Sequence, residues 1–336
     1  MIKIDGSYGE GGGQILRTAI ALSCVTGEEV KIIRIRASRP KPGLAAQHLK
    51  GIEAAKQISN AEVSGLKLGS TEVTFKPGKI KGGEVKIDIG TAGSVTLIFQ
   101  TILLPLLFAE GRSVVTVTGG TDVSWSPPVD YFKNVTLKAL KEMGIKCQFK
   151  VLKRGYYPKG GGKVKLEVDP LIPVGKIFKR IDEGVEGISH CQNLPKHVAE
   201  RQARAAREYL TEKGIEVNIS TEVLKGYSTG SGIVLWCGYK GGSALGERGK
   251  RAETVGVEAA KQFYIEFSDR AIFDFHIADQ IMPFAAVADG VTEYTTSRIT
   301  LHQKSNAYVI DAFFGKIVEI DEKNRLIKIK GKKILK

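Results

Sequence analysis

A pattern that returns three times along the chain constrains its fold more than any other feature. A polar or glycine-rich turn opens a helix, the helix ends where a glycine meets an acidic residue, and a β-branched strand begins. The first occurrence is Gly9-Glu10-Gly11-Gly12-Gly13, helical spacing over 14–25, Gly27-Glu28 and a strand over 30–36. The second is Gly90-Thr91-Ala92-Gly93, a helix over 94–109, Glu110-Gly111 and a strand over 113–118. The third opens without glycine at Ala278-Asp279-Gln280, continues to 288, turns at Asp289-Gly290 and enters a strand over 291–298. The helical segments place apolar residues at steps of three and four, and the strands alternate. Each strand leads into a polar loop (37–42, 119–128 and 300–305) and a second helical pattern (44–56, 129–143 and 306–313). Short strands close the units at 71–76 and 84–89, at 145–152 and 163–168, and at 316–320 and 325–330. The repeat predicts an α/β (α+β) protein whose large domain holds three units, each two helices on a roughly four-stranded sheet.

Residues 179–273 break the series. They carry their own helix (197–213), strands over 215–220 and 231–239, and a further helix from Glu253. This predicts an inserted smaller α/β domain, with 1–178 and 274–336 forming the large domain. The basic end, 328–336, reads as the closing strand and a solvated tail.

Composition narrows the class. The 336 residues suffice for two domains, and 42 % hydrophobic with 26 % charged residues excludes a disordered or fibrous chain. Lys and Arg number 50 against 36 Asp and Glu, a net charge of +14. That surplus suits an acidic partner such as nucleic acid, and equally a basic surface that keeps the chain soluble. The cysteines, Cys24, Cys147, Cys191 and Cys237, lie too far apart in sequence for a zinc-type pair and are too few for a disulfide scaffold. They fit a reduced, cytoplasmic protein. The N-terminus enters a strand-like alternation rather than a signal core. The apolar run over 95–109 falls short of the roughly 20 residues of a membrane span. It contains Gln100 and Pro105 and reads as a buried helix.

The loops between strand and second helix hold the unusual polar residues: Arg36, Arg39 and Lys41, then Asp122 and Ser124, then His302 and Lys304. If three units surround one centre, these loops converge there. Arg36, Arg39, Lys41 and His48 together suit a phosphate, though taken singly each fits a solvated loop. The turn around Glu10 is neither a Walker A motif nor a dinucleotide fingerprint. Its glycines admit a phosphate to the backbone, and Glu10 can hold a magnesium ion or simply face a helix N-terminus. Gln100, alone in an apolar run, needs partners, either a nucleobase edge or a neighbouring backbone group. His302 follows a strand and precedes a helix. A neutral imidazole is a competent nucleophile toward phosphorus, and an ordinary hydrogen-bonded histidine is the alternative.

Together these motifs resemble the RNA 3′-terminal phosphate cyclase family over essentially the whole chain. The matching segments are Asp5-Gly6 with Gly9 to Arg17; Arg36-Ala37-Ser38-Arg39-Pro40-Lys41-Pro42-Gly43-Leu44 with Gln47-His48; and Gly93-Ser94 leading to Gln100-Thr101. Further matches are Gly119-Gly120-Thr121-Asp122, Tyr157-Pro158 with Gly160-Gly161-Gly162, Pro195 to Arg201, Ala278-Asp279-Gln280, and His302 with Ser305-Asn306. The resemblance implies three repeats plus one inserted domain. Enolpyruvyl transferases have related units, so fold alone does not set the function. It further implies a ligase that forms a phosphoric ester bond. A histidine takes AMP from ATP, passes it to an RNA 3′-phosphate, and the 2′-hydroxyl closes a 2′,3′-cyclic phosphate. Carried over, His302 is the nucleophile and Glu10 the ligand of Mg²⁺ or a similar divalent cation. Gln100, Pro127, His276, Ile277, Ala278, Asp279 and Gln280 form the ATP site. Arg17, Arg36, Arg39 and Gln47 line the phosphate and RNA-end region. His276 departs from a tyrosine found in some relatives, which leaves stacking on adenine open. A sister branch, a non-catalytic RNA-binding factor of ribosome biogenesis, lacks the histidine that this chain has at 302.

Overall fold

The computed structural model describes residues 1–181 and 183–334. The end of the predicted solvated tail, 335–336, lies outside the described residues. The first unit runs β1 (Ile2–Asp5), α1 (Gly13–Thr26), β2 (Val30–Ile33), α2 (Ala46–Ser59), β3 (Glu62–Ser64) and β4 (Val73–Lys76). Its sheet has the order β1-β2-β4-β3, with β1 and β2 parallel and the other pairs antiparallel. The second unit runs β5 (Gly83–Asp88), α3 (Val95–Leu106), β6 (Ser113–Gly119), α4 (Val129–Tyr131), a π-helical turn (Phe132–Thr136), α5 (Leu137–Glu142), β7 (Cys147–Lys153) and β8 (Gly162–Val168). Its sheet, β5-β6-β8-β7, repeats the first position for position.

This pairing corrects the phase of the repeat. The strand at 84–89, expected to close the first unit, is β5, and it opens the second by pairing in parallel with β6. The unit is therefore strand-helix-strand-helix-strand-strand. A parallel pair needs a crossover helix between its strands, and α3 supplies it.

Next come β9 (Val185–Gln192), α6 (Lys196–Thr211), β10 (Val217–Leu224), β11 (Gly230–Cys237), β12 (Lys240–Leu245) and α7 (Ala252–Ser268). They form a separate sheet, β10-β9-β11-β12, with an apolar cluster of its own around Leu210, Ile233, Leu235 and Phe263. The sequence pattern showed neither β9 nor β12. The third unit contains α8 (Phe275–Gln280), α9 (Met282–Ala286), β13 (Val291–Thr295), α10 (Leu301–Phe314), β14 (Val318–Asp321) and β15 (Leu326–Lys330). Its sheet is β13-β15-β14, and parallel bridges Val174–Asp289 and Ile177–Glu293 put residues 174–177 where β1 and β5 stand in the other units.

Alternation sets the strands: β6 reads Ser-Val-Val-Thr-Val-Thr-Gly with every second residue buried. α1 is buried over most of its surface because α2, α3 and α10 all pack on it. The long apolar run is indeed a helix, α3, with Pro105 in its last turn. Among the described residues no helix is long and apolar enough to cross a membrane.

Candidate active site

The N-termini of α1 and α10 and the C-terminal end of α8 meet at one place. Gln14 Nε2 donates to the His302 carbonyl at 3.1 Å. Thr18 Oγ1 donates to Asn306 Oδ1 at 2.7 Å, and Asn306 Nδ2 donates to the Asp279 carbonyl at 2.7 Å. These bonds, the last two buried, hold three chain segments in fixed relation.

His302 lies inside α10, not in the loop expected over 300–305. Thr300 caps the helix: its hydroxyl accepts from Gln303 N, and Gln303 Oε1 accepts from Thr300 N at 2.9 Å. Thr-x-x-Gln is a capping box, and it starts the helix one residue before His302. The half-exposed imidazole stands between two carboxylates. Its Nδ1 is 3.2 Å from Asp279 Oδ2 and its Nε2 is 3.1 Å from Glu10 Oε2. The hydrogen bond to Asp279 is the largest influence on the ring and raises its pKa; burial opposes, and the charges of Asp279 and Glu10 add to the rise. Sequence reading named Asp279 only among ATP-site residues, and its bond to His302 spans 23 positions on separate helices.

Glu10 also meets Arg39 Nη2 at 3.3 Å. Arg17 borders the same region, its guanidinium pushed down to about 10 by burial against the pull of Asp279, so it stays charged at neutral pH. Arg36 is partly spent on its own loop, with Nη1 donating to the Gly43 carbonyl at 3.0 Å. Gln47 is committed to Ser94: Oε1 accepts from Ser94 N at 2.7 Å and Nε2 donates to Ser94 O at 3.2 Å. It braces the loop that starts α3.

Two glycines of the first turn have steric reasons. A Cβ on Gly13 would collide with His48 Nε2, and one on Gly9 would come 2.5 Å from Ser305 Oγ. The turn is glycine-rich so that α2 and α10 can close on it.

A cleft beside the histidine is lined by Arg17, Gln100, Phe132, Thr136, Asp279 and Gln280. Gln100, expected as a buried amide, is partly exposed on its wall because α3 turns this face away from the core. Gln280 Oε1 accepts from Thr136 Oγ1 at 2.9 Å, across the π-helical turn. The Pro127 carbonyl accepts from Thr96 Oγ1 at 2.8 Å, one turn along α3 from Gln100. His276 is exposed, tilted against Phe275 at 3.8 Å and edge-on to Tyr131 at 6.3 Å. Ile277 and Ala278 are wholly buried and seat α8 in the core.

The three loops do not all converge. Asp122 is sealed away with Arg154, Asp130 and His190, where the second unit meets β9. Asp122, Asp130 and His190 have metal-like spacing, but Arg154 Nη1, 2.7 Å from Asp130 and 3.1 Å from Asp122, takes the cation's place. At the His302 site Glu10 supplies a hard oxygen donor: its contacts with Arg39 and His302 both fall on Oε2, which leaves Oε1 for a ligand. One carboxylate, completed by phosphate oxygens and water, is how Mg²⁺ is commonly bound beside a nucleotide, so the residues present fit it.

Guanidinium groups around a carboxylate-flanked histidine, on repeated units built from parallel and antiparallel strands, define an α/β protein equipped to act on phosphate groups. The RNA 3′-terminal phosphate cyclase family profile matches residues 8–320. An RNA 3′-terminal phosphate cyclase of Archaeoglobus fulgidus is 70 % identical over 98 % of this chain and 100 % of its own. Those of Pyrococcus furiosus and Methanosarcina acetivorans are 52 % and 45 % identical, over 95 % and 98 % of this chain and 95 % and 99 % of theirs. The chain belongs to the RNA 3′-terminal phosphate cyclase family.

Proposed function

We propose that the chain is an ATP-dependent cyclase of RNA 3′-phosphate ends, with His302 as the nucleophile that carries AMP. The observation that carries this reading is the carboxylate on each ring nitrogen of His302. With both nitrogens so faced, the unliganded ring favours the imidazolium. The Nε2 proton passes to solvent while the Nδ1 proton stays on the ring, donated in a hydrogen bond to Asp279, and the neutral ring is the nucleophile. Nε2 leaves Glu10 and attacks the α-phosphorus of ATP, and the bond from that phosphorus to the pyrophosphate oxygen breaks. Asp279 stabilises the positive charge left on the ring. An oxygen of the RNA 3′-phosphate then displaces His302 from AMP. The neighbouring 2′-hydroxyl attacks the RNA phosphorus, loses its proton and expels AMP, leaving the 2′,3′-cyclic phosphate.

Arg17, Arg36 and Arg39 stabilise the phosphate oxygens in forked geometry. Gln47 acts through the backbone of Ser94. Gln100, Pro127, His276 and the α8 segment through Gln280 form the ATP side, with Ile277 and Ala278 supporting it from the core. Glu10 would hold a divalent cation such as Mg²⁺, which when bound shields the charge of the triphosphate. The catalytic work belongs to residues 1–178 and 274–336, with 179–273 as the inserted domain. The non-catalytic alternative lacks support, because His302 is present and the relatives above bear the cyclase name. Incubation of a 3′-phosphorylated RNA with ATP and Mg²⁺ should yield an end resistant to phosphatase, with one AMP released per end. An end that stays phosphatase-sensitive contradicts the reading.

A further inference from the structure

Three of the most exposed aromatic side chains are carried by segments that meet near one short stretch of backbone, the one that leads into Ser94. Trp125 is 100 % exposed, Tyr157 77 % and Tyr227 66 %. Exposed aromatic rings lose the burial that normally holds them. Trp125 is also held at φ +65°, an uncommon conformation for a bulky residue. Two of the segments that carry them share the backbone of Thr91-Ala92 as a floor, and the third packs on the neighbouring glycine. A Cβ on Gly160 would lie 2.6 Å from the Thr91 carbonyl, and one on Gly120 would strike the Ala92 carbonyl and lie 2.7 Å from Val123. The loop bearing Trp125 and the turn bearing Tyr157 therefore rest on the same two residues. Tyr227 lies against Gly161, where a Cβ would collide with its ring, and Lys159 N donates to Ser228 Oγ at 3.0 Å. The floor runs directly into Ser94, which Gln47 grips.

The surroundings are cationic. Lys153 Nζ covers one face of the Tyr227 ring, 3.8 Å from its centroid, so a base stacking on that face takes the place of the ammonium; Lys159, Lys163 and Lys225 are exposed nearby. The neighbouring carboxylate, Glu222, is turned toward Arg154, 2.7 Å away, which it shares with Asp122 and Asp130. Exposed π-faces interleaved with lysines are what a single strand requires: bases stack on the rings while phosphates run along the cations. A duplex offers no free base faces to such rings. We infer that Trp125, Tyr157 and Tyr227 form a platform that binds the single-stranded nucleotides upstream of the RNA 3′-phosphate. This rests on the cyclase reading and adds to it a second recognition surface, one that reads strand length rather than the terminal group.

The test compares a 3′-phosphorylated dinucleotide with a 3′-phosphorylated oligonucleotide of about ten residues. The wild type should cyclise both, the longer with the higher kcat/KM. Trp125→Ala, Tyr157→Ala and Tyr227→Ala should each lower kcat/KM for the long substrate about five- to a hundredfold, the range of one base–aromatic stack. The dinucleotide value should hold, and phenylalanine at each tyrosine should restore the long-substrate value. A long-to-short ratio that none of the alanine variants changes overturns the platform, as does an equal loss on both substrates. A binding measurement separates this from the chemistry. In a Trp236→Phe background Trp125 is the remaining indole, and a ten-residue RNA with a 3′-hydroxyl should quench its fluorescence. No quenching overturns the platform even if cyclisation proceeds, and quenching without cyclisation of either substrate leaves the platform standing and contradicts the cyclase reading.

Discussion

Arg39 reaches Glu10, and Glu10 reaches His302, so this guanidinium borders the nucleophile through one carboxylate. In the proposed reaction it seats the RNA 3′-phosphate opposite the adenylated histidine. Arg39→Ala should keep most protein–AMP formation and lose cyclic-end formation by tenfold or more; equal losses in both would make Arg39 an ATP contact instead. His48 carries a pH signature. Burial first, and then the charges of Arg17 and Arg36, push its pKa down to about 3, and its Nδ1 accepts from Ala45 N at 3.1 Å. Because the folded value lies below the unfolded one, the unfolded chain takes up the proton first as pH falls. The stability it contributes is complete above about pH 6.5 and is lost on acidification toward the folded value. Between pH 6 and 4 the wild type should lose about 2 kcal/mol more than His48→Asn in denaturant titrations; equal losses would contradict the buried neutral ring. His302 and Glu10 were legible in the sequence because each sits in a compact motif. The bonds from Asp279 to His302 and from Gln47 to Ser94 were not, because they join residues 23 and 47 positions apart, whose meeting depends on helix packing.

The start of α10 decides where His302 points, and one hydroxyl sets that start. Thr300→Ala should cost about 1 kcal/mol of stability by denaturant titration, with Thr300→Ser close to wild type. A neutral alanine variant would mean that packing alone begins the helix. The signal was present as Thr-x-x-Gln, but the polar run over 300–305 masks it, since capping residues are also loop residues. The π-helical turn at Phe132–Thr136 was not legible. It leaves the apolar spacing of a single helix over 129–143 almost intact while turning Thr136 toward Gln280. Such turns often occur at functional sites.

At the scale of the molecule, three units and an interrupting segment were legible as a repeat, whereas the phase of the repeat was not. Which sheet takes the strand over 84–89 depends on β5 meeting β6 across α3, a nonlocal pairing. Residues 174–177 likewise complete the third sheet only through partners more than a hundred positions away. The second unit is joined to β9 and β10 by buried ions: Arg154 bonds Asp122 and Asp130 and, at 2.7 Å, Glu222, while the Tyr156 hydroxyl meets His190 Nδ1 at 2.5 Å. Arg154→Met strands two buried carboxylates and should cost about 3–5 kcal/mol in thermal or denaturant unfolding; a cost below about 1 kcal/mol would show the junction to be hydrated. The central claim is that His302 carries AMP, and the most direct measurement is covalent labelling with ATP radiolabelled at its α-phosphate, in the presence of Mg²⁺. The wild type should retain label in an acid-labile, alkali-stable bond, as a phosphorus–nitrogen link requires, and folded His302→Ala should retain none. Label persisting in the alanine variant at the wild-type rate would contradict the account.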